Sequence, residues 1–228
     1  MVKNILLDLD GTIFDFLKSE AVALSKTLIN FNIKPTDELI KLYSRINESQ
    51  WKLLETGELT REQILVGRFE IFFKEIGVDI SGKDACYLYE NYLSESHYFI
   101  DHAEELLEEL SKKYSLYIAS NGTAKVQSGR IKSSSISRFF KEIFISENIG
   151  YNKPDKRFFD YCFSKISNFS LSETIIIGDS LSSDILGGNN AGIKTIFFNK
   201  NFAKNNTQAV VDKEVHSLTE IPDVIEKM

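Results

Sequence analysis

Val2-Lys3-Asn4-Ile5-Leu6-Leu7-Asp8-Leu9-Asp10-Gly11-Thr12 is the stretch on which the reading of the chain turns. Ile5-Leu6-Leu7 is a short apolar run that halts at two aspartates. A buried parallel strand reads this way when its carboxyl end opens into a site. Ligand sites of open α/β sheets lie at such ends. Asp8 and Asp10 are two apart, so continued strand geometry would point both to one side of the chain. Gly11 allows a sharp turn or a close backbone approach. The same letters also suit a plain turn, because aspartates followed by glycine are common turn chemistry. Taken alone, the segment leaves both readings open.

Downstream, residues 14–95 read as helical. Leu17, Ala21, Leu24, Leu28 and Phe31 recur at spacings of three and four, the stripe of an amphipathic helix. Leu39, Leu42, Tyr43 and Ile46 mark a second helix that continues towards Trp51 and Leu54 before Gly57. Thr60 with Gln63 is a capping-box pattern ahead of a third. Cys86, Leu88, Tyr89, Tyr92 and Leu93 mark a fourth. From Asp101 the pattern changes. Asp101 with Glu104 reads as a helix cap. Leu116–Ala119, Ile143–Ile145, Thr174–Ile177 and Ile193–Phe198 read as strands, with helical patterns between them. Lys153-Pro154 reads as a helix start, since proline suits the first turn. Ser217–Lys227 reads as a terminal helix. Strands alternating with helices predict an α/β fold with a Rossmann-like, mostly parallel sheet. The predicted core is 1–13 with 96–228, and 14–95 is a helical cap inserted after the first strand.

The polar residues recur where such a fold places its chemistry. Asp8 and Asp10 follow the first strand, Ser120 and Asn121 the second, and Asp179 and Asp184 the fourth, while Lys153 stands at a helix start. That recurrence argues against turns that are acidic by accident. Composition narrows the function further. A net charge of −6 over 228 residues argues against a general nucleic-acid binder and is compatible with a small phosphorylated substrate. Cys86 and Cys162 have no metal or redox spacing, and such sparse cysteine suits a reducing cytoplasm. No apolar run has the length of a membrane span, and no obligate protein partner is implied. His97, His102 and His216 show no metal spacing.

Four segments together resemble the haloacid dehalogenase-like hydrolase superfamily: Asp8-Leu9-Asp10-Gly11-Thr12, Ser120-Asn121-Gly122, Lys153-Pro154, and Gly178-Asp179-Ser180 through Ser183-Asp184. The resemblance covers essentially the whole chain. Within that superfamily the chain is similar to bacterial pyrimidine 5'-nucleotidases that also accept noncanonical nucleotides. The supporting stretches are Asn47 with Trp51, Gly57 with Leu59-Thr60, Arg68-Phe69, and Ser183 to Gly192. Two departures stand out. Ser120 replaces the more usual threonine and keeps the hydroxyl. Asp101-His102-Ala103 stands where relatives commonly carry Pro-Gly, which should alter a turn and leave the chemistry alone.

The resemblance implies a Mg²⁺-dependent phosphomonoesterase acting on nucleoside 5'-monophosphates, of the pyrimidine class. Asp8 is then the nucleophile that forms an aspartyl-phosphate. Asp10 is the general acid and later the base. Ser120 with Asn121, Gly122 and Lys153 binds the phosphoryl group. Asp8, Asp179 and the Asp10 backbone carbonyl hold the metal. Asp184 orients or ligates through a metal-bound water, or only caps a helix. Asn47 and Trp51, four apart on one helix face, are candidates for substrate recognition. The alternatives are a phosphoglycolate or sugar-phosphate phosphatase on the same core, or a binding protein on a retained hydrolase scaffold.

Overall fold

A computed structural model describes residues 1–228. β1 (Asn4–Leu7) is followed by four helices, α1 (Phe16–Asn30), α2 (Asp37–Glu55), α3 (Arg61–Glu75) and α4 (Gly82–Ser94). The chain then alternates through α5 (Ala103–Lys113), β2 (Ser115–Ser120), α6 (Ala124–Ser134) and β3 (Phe140–Ile145). It continues with α7 (Ser146–Ile149), α8 (Lys156–Lys165), β4 (Thr174–Gly178), α9 (Leu186–Ala191) and β5 (Lys194–Phe198). β6 (Lys213–Val215) and α10 (Ile221–Glu226) close it.

The strands form one sheet in the order β3-β2-β1-β4-β5-β6, with every neighbouring pair parallel. The chain runs outward from β1 to one edge, then returns and runs to the other. A crevice therefore opens at the carboxyl end of β1, where the direction switches. Leu7 pairs with Ile118 on one side and Ile177 on the other. That register delivers Asp8, Ser120 and Asp179 from three adjacent strands to the same end.

Side chains alternate across the sheet, and both faces are covered. Ile5 and Leu7 pack with Ile118, Ile175 and Ile177 beneath α5 and α10. Leu6 packs with Tyr117, Ala119 and Ile176 beneath α8 and α9. Each such buried side chain contributes roughly 1.5–3 kcal/mol.

Helices α1 to α4 have a core of their own. Tyr43, Phe69, Phe72, Phe73 and Tyr89 are buried there, with the Tyr43 and Phe72 rings edge-on at 5.5 Å. Their helical spacing is thus spent mainly on packing. Val126 of α6 completes this cluster and ties it to the sheet layer. The chain leaves the sheet after Phe14 and returns before Phe99, and these two residues form a β-bridge. The Asp15 N–H donates to the Tyr98 carbonyl at 2.7 Å and the Ile100 N–H to Ile13 at 2.9 Å. The two crossings therefore lie side by side.

Local patterns hold in some places and fail in others. Thr60 and Gln63 exchange both bonds of the capping box, and α2 runs unbroken past Trp51. Asp101 does not cap α5. His102 holds the N-cap position in the left-handed region at φ 67°, with no side-chain cap bond. It stands in the stretch where relatives commonly carry Pro-Gly, a conformation glycine adopts at lower cost. Pro154 does not open α8 either. Asp155 caps that helix by accepting from the Arg157 N–H at 2.8 Å, so the first helical residue is Lys156. β6 has no apolar run to announce it, because two of its three residues are charged.

Candidate active site

Asp8 emerges from β1 with its N–H bonded to the Ile177 carbonyl at 2.9 Å, which fixes its backbone against β4. Lys153, only 1% exposed, places its Nζ 2.6 Å from Asp8 Oδ1 and 2.6 Å from Asp184 Oδ1. It also donates to the Ala119 carbonyl. Asp179 leaves β4 and accepts from the Thr12 hydroxyl at 3.4 Å. Asp184 lies in a π-type turn, Leu181–Ile185, and accepts from the Ser180 N–H at 3.0 Å. Carboxylate oxygens of Asp8, Asp179 and Asp184 lie within 4.8 Å of one another. Two glycines make room for this cluster. A Cβ on Gly11, whose φ is +87°, would meet Asp179 Oδ2 at 2.1 Å, and one on Gly178 would meet Asp184 Oδ2 at 2.2 Å.

The second strand end carries a polar loop. Asn121 binds the Lys153 main chain twice, accepting from its N–H and donating to its carbonyl, each at 2.9 Å. Ser120 Oγ accepts from the Gly122 N–H at 3.1 Å and from Gln127 at 2.8 Å, leaving its own proton available. The Asp10 carboxylate turns towards α6, where Gln127 and Arg130 hold it.

Two residues of the helical unit reach down to the core. Arg61 donates to the Asn121 carbonyl at 2.8 Å, Ser146 Oγ at 2.7 Å and Asn152 Oδ1 at 2.6 Å. Glu55 accepts from Ser182 at 2.8 Å. A cavity of about 180 Å³ results. Asp8, Asp10, Ser120, Lys153, Asp179 and Asp184 line its core side, and Phe16, Trp51 and Leu65 its helical side.

All four sequence motifs thus converge on one cavity, and a family model described as haloacid dehalogenase-like hydrolase matches residues 5–198. The chain belongs to this family. It is 36% identical to the HAD-hydrolase YfnB of Bacillus subtilis over 223 residues, 98% of this chain and 95% of that one. It is 35% identical to the pyrimidine 5'-nucleotidase PynA of Streptococcus pneumoniae over 226 residues, 99% of this chain and 95% of that one. The pyrimidine 5'-nucleotidase YjjG of Escherichia coli is 29% identical over 86% of this chain and 85% of its own length. The crystal structure of YfnB, solved with magnesium bound, superposes with a TM-score of 0.94 over 98% of each chain. L-2-haloacid dehalogenase of Xanthobacter autotrophicus, at 15% identity and a TM-score of 0.79 over the full length of both chains, shares the fold.

The donor set of this HAD-family site suits a hard divalent cation. Three carboxylates share one buried corner with a single ammonium, and the oxygens of all three can face one point. Burial pushes the Asp8 carboxyl well above the usual carboxylate range; Lys153 opposes this, while Asp184 and Asp179 add to it. Asp179 is pushed up to about 7, first by burial and then by Asp184. Burial acts to lower the Lys153 pKa, but Asp184 and Asp8 outweigh it and the net direction is up. Such crowded negative charge is relieved when a cation binds.

A pH prediction follows from Asp179. An unfolded aspartate titrates near ~3.9, so between there and about 7 the folded chain holds a proton that the unfolded chain has lost. Metal-free stability contributed by this group therefore falls as pH rises through that window and levels off above it. Metal binding needs the carboxylate, so it should strengthen over the same range. Thermal unfolding with chelator and with saturating Mg²⁺ should give a larger Mg²⁺-induced rise at pH 8 than at pH 5.5. Equal rises at the two values would contradict this charge arrangement.

Of the two candidates for substrate recognition, only Trp51 lines the cavity. Asn47 is 2% exposed, and both halves of its amide are occupied. Its Nδ2 donates to Glu20 at 2.6 Å and its Oδ1 accepts from Arg68 at 2.9 Å. It ties α1, α2 and α3 together, and it lines a neighbouring cavity that Trp51, Asp10 and Asp179 also line. Four site residues escaped the sequence reading: Glu55, Arg61, Gln127 and Arg130. The last two left a trace, because a glutamine and an arginine interrupt the buried stripe of α6 between Val126 and Ile131.

Proposed function

We propose that the protein hydrolyses nucleoside 5'-monophosphates, preferring pyrimidines, through a phosphoryl group carried on Asp8 and with Mg²⁺ as cofactor. The observation that carries this reading is the shared cavity. An Asp8–Lys153 pair and the Ser120–Gly122 loop lie on one side of it, and the Trp51 ring on the other. The full-length likeness to PynA supports the pyrimidine preference. A reducing, cytoplasmic setting belongs to the same proposal and suits two buried free thiols.

Asp8 attacks phosphorus, and its buried, unfavourably charged carboxylate gains by sharing its charge with the phosphoryl group. Lys153 stays beside it and offsets charge on the phosphoryl oxygens. Ser120 donates its free proton to one of those oxygens. Asp10 protonates the leaving ester oxygen, then takes a proton from the water that releases phosphate. Asp8, Asp179 and the Asp10 carbonyl would hold a divalent cation, with Asp184 beside them, and it would supply the remaining charge compensation when bound. The Asp10 carbonyl accepts no main-chain hydrogen bond and is available for this.

Substrate choice rests on the helical side. The Arg61 guanidinium lies over one face of the Trp51 ring, 5.6 Å from its centroid. A base stacked on that indole gains about 0.5–1.5 kcal/mol. UMP, dUMP or dTMP should therefore exceed phosphoglycolate and simple sugar phosphates in kcat/KM, and the likeness to PynA, not the stacking, leads us to expect purine monophosphates to be poorer. Trp51→Ala should lower kcat/KM for the pyrimidine nucleotides by up to ~10-fold, the kinetic equivalent of that stacking energy. A small aryl phosphate should lose less. If Trp51 only packs helices, stability falls and all substrates lose alike. A phosphoglycolate preference in the unaltered protein would reject the nucleotidase reading and leave the phosphatase chemistry standing.

A further inference from the structure

Asp10 is not free to turn. Its Oδ2 accepts from Gln127 Nε2 at 2.5 Å, and its Oδ1 accepts from the Arg130 guanidinium. Arg130 is fully buried, and a buried cation persists only where it is paired and its donors are satisfied. Each of its three nitrogens has a partner. Nε donates to the Ser96 carbonyl at 3.0 Å, and Nη1 also reaches Gln127 Oε1 at 3.2 Å. Nη2 reaches Ser19 Oγ at 3.5 Å, and the guanidinium lies 4.9 Å from the Phe14 ring centroid. Gln127 in turn donates to Ser120 Oγ at 2.8 Å. Ser19 belongs to α1, while Phe14 and Ser96 lie beside the two chain crossings. One side chain therefore touches Asp10, the first cap helix and both attachments of the helical unit.

We infer that Arg130, assisted by Gln127, is a positioning residue. It holds the Asp10 carboxyl where a proton can pass to and from the reacting phosphate ester, and it ties that position to the seating of the helical unit. The inference rests on the reading of Asp10 as acid and base. In the first step the Asp8 Oδ–P bond forms as the P–O ester bond breaks, and the Asp10 proton goes to the leaving oxygen. In the second a water oxygen bonds to phosphorus as the Asp8–P bond breaks, and the water proton goes to Asp10. The sum is ester plus water giving alcohol plus phosphate. Both transfers need the carboxyl within hydrogen-bond reach of two different oxygens in turn. The planar guanidinium can serve Asp10, Ser96 and Ser19 together, which a lysine ammonium on a flexible stem does not reproduce.

The test uses the leaving group. The alkoxide of UMP needs a proton to depart, whereas the phenolate of p-nitrophenyl phosphate leaves without one. Single-turnover rates isolate the first step for Arg130→Lys, Gln127→Met and Asp10→Asn, with thermal unfolding measured on each. Arg130→Lys should slow UMP cleavage by about 10²-fold while p-nitrophenyl phosphate stays within about threefold and KM values barely move. Gln127→Met should show the same signature more weakly, and it carries the test should Arg130→Lys fail to fold. Equal losses on both substrates, tracking lost stability, would make Arg130 a packing residue and overturn the inference. No loss on either would do the same. Asp10→Asn separates the two levels. If it retains UMP cleavage, the acid–base reading itself fails; if it is inactive while the α6 variants show no leaving-group effect, only the positioning role falls.

Discussion

Asp8→Asn is expected to reduce steady-state phosphatase turnover by about 10⁴-fold or more, as removal of a sole nucleophile does. The fold should survive. Asparagine keeps the volume and shape of the side chain, and its Oδ1 can still accept from Lys153, which also retains Asp184 and the Ala119 carbonyl. The change removes one of three crowded carboxylates, so the metal-free protein loses repulsion along with its nucleophile. Turnover and thermal unfolding measured on one preparation separate the two effects. Turnover near that of the unaltered protein would remove Asp8 from its assigned role.

The second large effect belongs to Lys153. Lys153→Met preserves length and apolar stem but strips the only ammonium from Asp8 and Asp184. Breaking a buried pair by removing one partner costs about 3–5 kcal/mol, because the other charge stays buried. Here two carboxylates lose their cation, and Asp8, whose carboxyl burial already pushes up, can escape part of that cost by taking up a proton. The stability loss should therefore be larger at pH 8 than at pH 5, since high pH forces Asp8 to stay charged without its partner. Turnover should fall by about 10²–10³-fold, the scale seen when one charge-stabilising donor is lost. Chemical denaturation at both pH values, with chelator present, checks the first part. A loss independent of pH would show that the ammonium is not what keeps these carboxylates in place.

What could be read from the letters alone follows a physical division. Ile5-Leu6-Leu7 ending at Asp8 is legible because a strand buried on both faces has no polar residue to spare before the site begins. The same holds for Thr174–Ile177 and Asp179. Capping of α3 by Thr60 is legible because donor and acceptor lie three residues apart. Contacts between distant segments are not legible in this way. Asn47 reads as a polar residue one turn from Trp51, yet Glu20 and Arg68 from two other helices consume its amide. Arg130 breaks the stripe of α6 between Val126 and Ile131, yet nothing in the letters names its partners Asp10, Ser19 and Ser96, which are remote in sequence. Arg61 and Glu55 flank a loop whose grip on Asn121 and Ser182 exists only once the helical unit is seated. His102 hides in another fashion, because its left-handed backbone is a property that its residue type seldom signals.

Glu55 and Arg61 also explain how the helical unit is fastened beside the cavity. Burial raises the Glu55 pKa, and its bond to Ser182 opposes that shift. With Arg61 on the Asn121 loop, the turn between α2 and α3 presses on two of the strand-end loops at once. The same contacts narrow the approach to the carboxylate cluster and bring Trp51 to the cavity's helical side.

The central claim is a phosphoryl group carried on Asp8, and rapid quenching tests it most directly. The unaltered protein, in excess over UMP labelled with ³²P at the phosphate and supplied with Mg²⁺, is quenched in acid at millisecond intervals. The account predicts protein-bound label that rises and then decays, is released by hydroxylamine as an acyl phosphate, and maps by proteolysis to the peptide containing Asp8. Inorganic phosphate forming at full rate with no bound label at any time, or label on a peptide that lacks Asp8, would contradict it.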